Sequence, residues 1–194
     1  EGRFAHMEQQ DRRNDLIEKI VTIELKMFQN VRSRGYAACQ DLPETFRIMR
    51  WMAHSVLSED TLASYLEDLE QAVRDGRNLM TEKYARMEGL IPPIKEDPEI
   101  VGILDEIVRT EESWMQEFSR RYPGIVKSCS SGFADYLRAE LETYSDRTLR
   151  LYLLDVRKTV QEGGSHALKS YENLFGKLGY ASLDDVCRRA RLQD

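Results

Sequence analysis

Two glutamates sit where a charge is least expected. Glu24 lies inside an apolar stripe, with Ile17, Ile20 and Val21 on one side of it and Met27, Phe28 and Val31 on the other. Glu111 occupies the same setting among Leu104, Ile107, Val108, Trp114, Met115 and Phe118. At helical spacing both carboxylates face a core. A buried charge costs several kcal/mol unless it is paired or protonated, so each glutamate needs a partner, and Tyr84, Tyr171, Lys83 and Arg50 are the candidates. Such a pair could do acid/base work or hold a metal, with proton affinity raised by burial and by the nearness of a like charge. Alternatively, each glutamate is tied to a tyrosine hydroxyl or an arginine and fixes helix register.

A second group of candidates lies in Gly76 to Met87. Asn78 and Glu82, four apart, share a helical face, with Lys83 and Tyr84 beside them. The run reads either as a ligand-binding face or as a capped surface helix whose Glu82 and Lys83 are solvated while Leu79 and Met87 pack inward. Glu140 and Tyr144, again four apart, could line a cleft or serve a helix junction. Cys39 sits with Gln40 and Asp41 before Pro43, with no histidine nearby in sequence, and reads as an ordinary thiol. Glu-x-x-His pairs of the di-iron kind are absent, and His54 and His166 are not equivalently placed, so no metal site is predicted. Signatures of nucleotide-binding loops, zincins, serine hydrolases and kinases are also absent, and the pattern specifies no cofactor.

The elements that position these groups follow from an internal repeat. Shifting the chain by 87 positions aligns residues 20–84 with 107–171 without a gap, with 15 of 65 pairs identical, where about four would be expected from average composition. The identities include Glu24 with Glu111 and a dense cluster in which Ser58, Thr61, Leu62, Tyr65, Leu66 and Asp68 match Ser145, Thr148, Leu149, Tyr152, Leu153 and Asp155. The chain therefore reads as all-α: two tandem four-helix repeats, about 14–90 and 98–180, related by a pseudo-two-fold and packed as one globular bundle, with a short helix after Ser182. The first repeat predicts helices over 14–34, 43–56, 59–75 and 78–89. Ser58 and Ser145 are placed to cap a helix start, Gly76 and Gly163 to end one, and Pro43 to occupy a first helical position. Residues 91–97, with Pro92 and Pro93, join the repeats, and Asp97-Pro98 opens the next helix. Period-two runs and hairpin turns are missing, which excludes a Rossmann-like domain.

A net charge of −6 argues against nucleic acid or an anionic membrane surface as a partner. No apolar run reaches the ~20 residues of a membrane span. Three scattered cysteines, Cys39, Cys129 and Cys187, suit free thiols in a cytoplasmic setting. Residues 1–6 resemble a tag remnant, so His6 is set aside.

Three segments together resemble the bacterial family known as domain of unknown function DUF4125. They are Cys39-Gln40-Asp41 with Thr45-Phe46 and Met49-Arg50, the Gly76 to Met87 run, and Glu140-Leu141 with Thr143-Tyr144-Ser145 and Thr148-Leu149. The resemblance runs from about residue 14 to 187, with a shorter connection than usual from Ile125 to Gly132. It implies a stand-alone cytoplasmic helical protein and no particular reaction. The residues then support two functions. As a binding protein, the chain would hold a small ligand or a protein partner in a groove between its repeats. As an enzyme, it would use Glu24 and Glu111 with Glu82, Lys83 or Tyr84.

Overall fold

The computed structural model describes residues 2–31, 42–126 and 132–191, with side chains from His6 onward. These residues form nine helices and no strand: α1 (Gly2–Gln29), α2 (Pro43–His54), α3 (Glu59–Arg74), α4 (Leu79–Met87), α5 (Pro98–Arg121), α6 (Phe133–Leu141), α7 (Asp146–Gln161), α8 (His166–Lys177) and α9 (Leu183–Arg191). Cys39, Gln40, Asp41 and Cys129 lie outside the described residues.

Most boundaries follow from local chemistry. Pro43 and Pro98 open α2 and α5, where the missing N–H is no loss. Ser58, Asn78, Ser145 and Ser165 accept a backbone N–H from the third residue on, at 3.3, 3.0, 3.2 and 3.2 Å, and so start α3, α4, α7 and α8. Gly76 and Gly163 both take φ of +69°, and the chain reverses there at the ends of α3 and α7. The first helix departs from expectation. It begins at Gly2 rather than residue 14, because nothing between them breaks a helix, and its last turn closes at Gln29. Arg13 anchors this extension by donating to the carbonyls of Ser55 and Leu57, at 2.8 and 2.7 Å.

α1 packs on α2, α3 and α4, and α5 packs on α6, α7 and α8. The two groups meet through α3 against α7, α4 against α6 and α2 against α8. One continuous apolar core results, running from Ile17, Ile20 and Val21 through Leu62, Tyr65 and Leu69 to Leu104, Ile107, Leu149 and Val156. At the α3–α7 contact the helix starts hold one another. Ser58 N–H donates to Asp155 Oδ2 at 2.9 Å and Thr61 Oγ1 to the same atom at 2.7 Å. In return, Ser145 N–H and Thr148 Oγ1 donate to Asp68 Oδ2 at 3.0 and 2.7 Å.

These reciprocal bonds connect the two groups of helices, and removing either acceptor leaves an N–H and a hydroxyl without it. Asp68→Ala and Asp155→Ala are each expected to lower unfolding free energy by about 1–3 kcal/mol, and by similar amounts. Urea denaturation of the two variants checks this, and a variant with unchanged stability would show its bond to be incidental.

Candidate functional site

Glu24 is wholly buried on α1, and its carboxylate is met from three directions. Arg50 on α2 donates through Nε to Oε1 at 3.2 Å and through Nη2 to Oε2 at 2.6 Å, a two-pronged contact that a guanidinium is shaped to make. His54, one turn further along α2 and on the same face, places Nε2 2.9 Å from Oε1. Tyr65 on α3 donates its hydroxyl to Oε2 at 2.9 Å. A carboxylate accepts only, so His54 Nε2 carries the proton in this contact.

Arg50 continues the chain of charges. Its Nη1 donates to Glu140 Oε1 on α6 at 2.7 Å, and Lys83 on α4 donates to the same oxygen at 2.8 Å. Tyr144 completes Glu140 through Oε2, at 3.1 Å. Lys83 is 1 % exposed, with its ammonium 3.6 Å from the centre of the Tyr136 ring. The rings of Tyr65 and Tyr144 stack at 4.3 Å, tying the Glu24 and Glu140 ends together. Two carboxylates, one guanidinium and one ammonium thus share a buried network whose formal charges cancel.

Burial alone raises a carboxyl pKa, but at Glu24 the charges of Arg50 and His54 and their hydrogen bonds outweigh it and hold the group down at about 2. At Glu140 burial is likewise overcome by Arg50 and Lys83, and the group lies well below the usual carboxylate range. Burial followed by the charge of Glu24 drives Tyr65 well above 10, and burial followed by the charge of Glu140 does the same to Tyr144. Raised proton affinity went with the acid/base or metal alternative for the buried glutamates. Glu24 instead has the tie to an arginine and a tyrosine hydroxyl that the other alternative described, and the cations lower its proton affinity.

Glu111 on α5 has a smaller set of partners. Tyr152 on α7 donates to Oε1 at 3.1 Å, and His166 Nδ1 on α8 lies 2.6 Å from the same atom. The other nitrogen of His166 is 3.1 Å from Thr159 Oγ1. Glu24 therefore shares a cation with Glu140 and not with Glu111. The hydroxyls on the two glutamates belong to Tyr65 and Tyr152, not to Tyr84 and Tyr171. Tyr84 packs near Phe28, while Tyr171 stacks on Phe118. Tyr65 and Tyr152 were visible as an identical pair in the alignment at a shift of 87 positions, though nothing in one sequence assigned them a carboxylate.

Of the other candidates, Arg50, Lys83, Glu140 and Tyr144 join the network, and Asn78 and Glu82 do not. Asn78 caps α4 and donates Nδ2 to the Met27 carbonyl at 2.8 Å, while Glu82 pairs with Arg77 at 2.9 and 2.8 Å. The surface-helix reading of α4 holds for Glu82 but not for Lys83, which is buried, nor for Met87, which is 39 % exposed. His54 and His166 were missed, since their inequivalent positions in the repeat hid that each reaches a matched glutamate.

A cavity of about 150 Å³ opens beside these groups, between α2 on one side and α5, α6, α7 and α8 on the other. Arg50, His54, Glu111, Glu140, Tyr144 and His166 contribute to its wall, with Met52, Leu57, Met115 and Leu137 supplying apolar surface. Glu24 stands behind Arg50 and His54. Among the described residues no three of His, Cys, Asp and Glu converge to hold a metal ion.

A family model described as "Protein of unknown function (DUF4125)" matches residues 14–188. No curated protein and no solved structure matches the chain.

The electrostatics fix an acid response. A carboxyl whose pKa is lower in the folded state contributes stability above its unfolded value, and that contribution disappears as pH falls through the folded value. For Glu24 the window runs from its ordinary 4.5 down to about 2. Urea unfolding across this window is expected to show a steep loss for the wild type and a shallower one for Glu24→Gln, Glu140 supplying the remainder. At neutral pH, Arg50→Met strands two carboxylates and is expected to destabilise by about 3–5 kcal/mol. A milder loss in thermal or urea unfolding would show that water reaches the network.

Proposed function

The chain belongs to the DUF4125 family over most of its length, and we propose that it is a binding protein that holds a small ligand in the cavity between α2 and α6. The observation that carries this reading is the placement of a fully paired ionic network directly behind a cavity wall. Buried ion pairs are weak sources of stability compared with apolar packing of the same volume, so a network of this size beside an opening is better accounted for by what it orients than by what it stabilises. Convergent polar groups in a mostly apolar concavity are also what small-ligand sites are made of.

The reading includes the origin of the cavity. Two diverged repeats related by a pseudo-two-fold would place it in the groove where they meet. The matched contacts of Tyr65 with Glu24 and Tyr152 with Glu111, and the mutual bonds of Ser58 with Asp155 and Ser145 with Asp68, support that arrangement. Divergence would then account for the one-sided wall, since Arg50 and His54 on α2 correspond to Leu137 and Leu141 on α6. A cytoplasmic bacterial protein is the setting we assign to it. Among the described residues no helix is long and apolar enough to cross a membrane, and the net charge of −6 favours partners other than nucleic acid.

One feature favours an enzyme as the second reading. An ionised Glu24 fixes His54 through Nε2, the orientation that carboxylate–histidine pairs use to present the opposite nitrogen as a proton acceptor. A compound turned over by the wild type and not by His54→Gln would move the assignment from binding to catalysis.

Ala53 is exposed and lies on the cavity wall. A panel of small amines, acids and alcohols is expected to contain compounds that raise the wild-type unfolding temperature. Saturation at 100 times Kd is worth about 2.7 kcal/mol. Ala53→Trp is expected to abolish that response while shifting the ligand-free unfolding temperature by no more than about 2 °C. A panel that never stabilises the wild type, or stabilises the plugged variant equally, would overturn the reading.

A further inference from the structure

The atoms left over once every protein hydrogen bond is made describe the ligand. Glu111 Oε1 receives both Tyr152 and His166, and Oε2 accepts nothing among the described residues. His54 engages Glu24 through Nε2, while its Nδ1 makes no hydrogen bond among the described residues. Glu111 is 8 % exposed and His54 1 %, both line the cavity, and neither of these two atoms is at once sealed from solvent and unpartnered. Both side chains contribute to the cavity wall. Oε2 is an anionic acceptor.

Of the other polar groups on the wall, the Tyr136 hydroxyl makes no hydrogen bond among the described residues, and the others are committed. The hydroxyls of Tyr144 and Tyr152 are directed at Glu140 and Glu111, Ser170 Oγ donates to the Ala167 carbonyl, and both nitrogens of His166 are engaged. Arg50 and Lys83 are matched by Glu24 and Glu140. An entering carboxylate would face Glu111. An ammonium has three donors and no acceptor, which complements a free carboxylate oxygen. Aromatic rings around the space favour a cation further. A cavity of about 150 Å³ accommodates a group the size of benzene.

We infer that the cavity takes a small apolar amine, with its ammonium held by Glu111 Oε2 and its hydrocarbon portion against the apolar wall. This rests on the cavity being a ligand site, and it adds the chemical class.

The test compares three probes of similar shape, benzylamine, benzyl alcohol and benzoate, titrated into the whole protein at neutral pH by calorimetry, with Ala53→Trp as the blocked control. Benzylamine is expected to bind at least about tenfold more tightly than either analogue. Glu111→Gln is expected to weaken benzylamine by about ten- to a hundredfold, the worth of a hydrogen bond to a charged group, and to leave benzyl alcohol nearly unchanged. If benzyl alcohol or benzoate binds as tightly as benzylamine and Ala53→Trp blocks it, the amine assignment is wrong and the cavity remains a ligand site. If no probe binds, or Ala53→Trp makes no difference, both readings fall. The selectivity of the wild type decides the matter even if Glu111→Gln does not fold.

Discussion

Arg50 is the group on which the interior depends. Its guanidinium reaches Glu24 on one helix and Glu140 on another, and without it two anions would share a dry region with only Lys83 and a histidine to answer them. Removing charges from water is expensive, and attraction repays the loss only when geometry is close and every lone pair has a donor. The contacts are close, and both oxygens of each carboxylate are met. Glu24 receives four donors from three side chains, and Glu140 receives three from three. Arg50 thereby ties α2 to both α1 and α6.

The same constraint shapes the cavity. Tyrosines whose hydroxyls are committed to carboxylates cannot rotate away, and the stacked rings of Tyr65 and Tyr144 stiffen the wall from behind. A side of the cavity built this way keeps its form when empty, so a ligand meets prearranged groups and loses less ordering entropy on binding. His54 is held in one orientation by a partner that stays ionised far into acid.

Much of this was legible before any coordinates. The apolar stripes around Glu24 and Glu111 announced inward carboxylates because helical periodicity is a local property. Serine caps, prolines and positive-φ glycines announced helix ends for the same reason. What was hidden depends on distance across the fold. Lys83 lies in a run that reads as polar surface, and only the approach of α6 buries it against Glu140 and Tyr136. His54 and His166 fall at unrelated positions along the repeat, and tertiary packing alone brings each to its glutamate. Arg50 was one of four candidate partners for the buried glutamates, and only the packing of α2 on α1, 26 residues along the chain, assigns it to Glu24.

The exchange of bonds between α3 and α7 bears on how the molecule comes apart. The acceptor for the start of each helix is carried by the other, so fraying at one start releases the grip on its counterpart and weakens both together. Such mutual dependence opposes a state in which one group of helices melts while its neighbour stays ordered. A fragment holding only α1 to α4 would also present Asp68 and Ser58 without their mates, to be met most readily by a second identical fragment. The contact that closes the monomer is thus equally a template for exchange between chains, held in check because the intramolecular partner is always the nearer one.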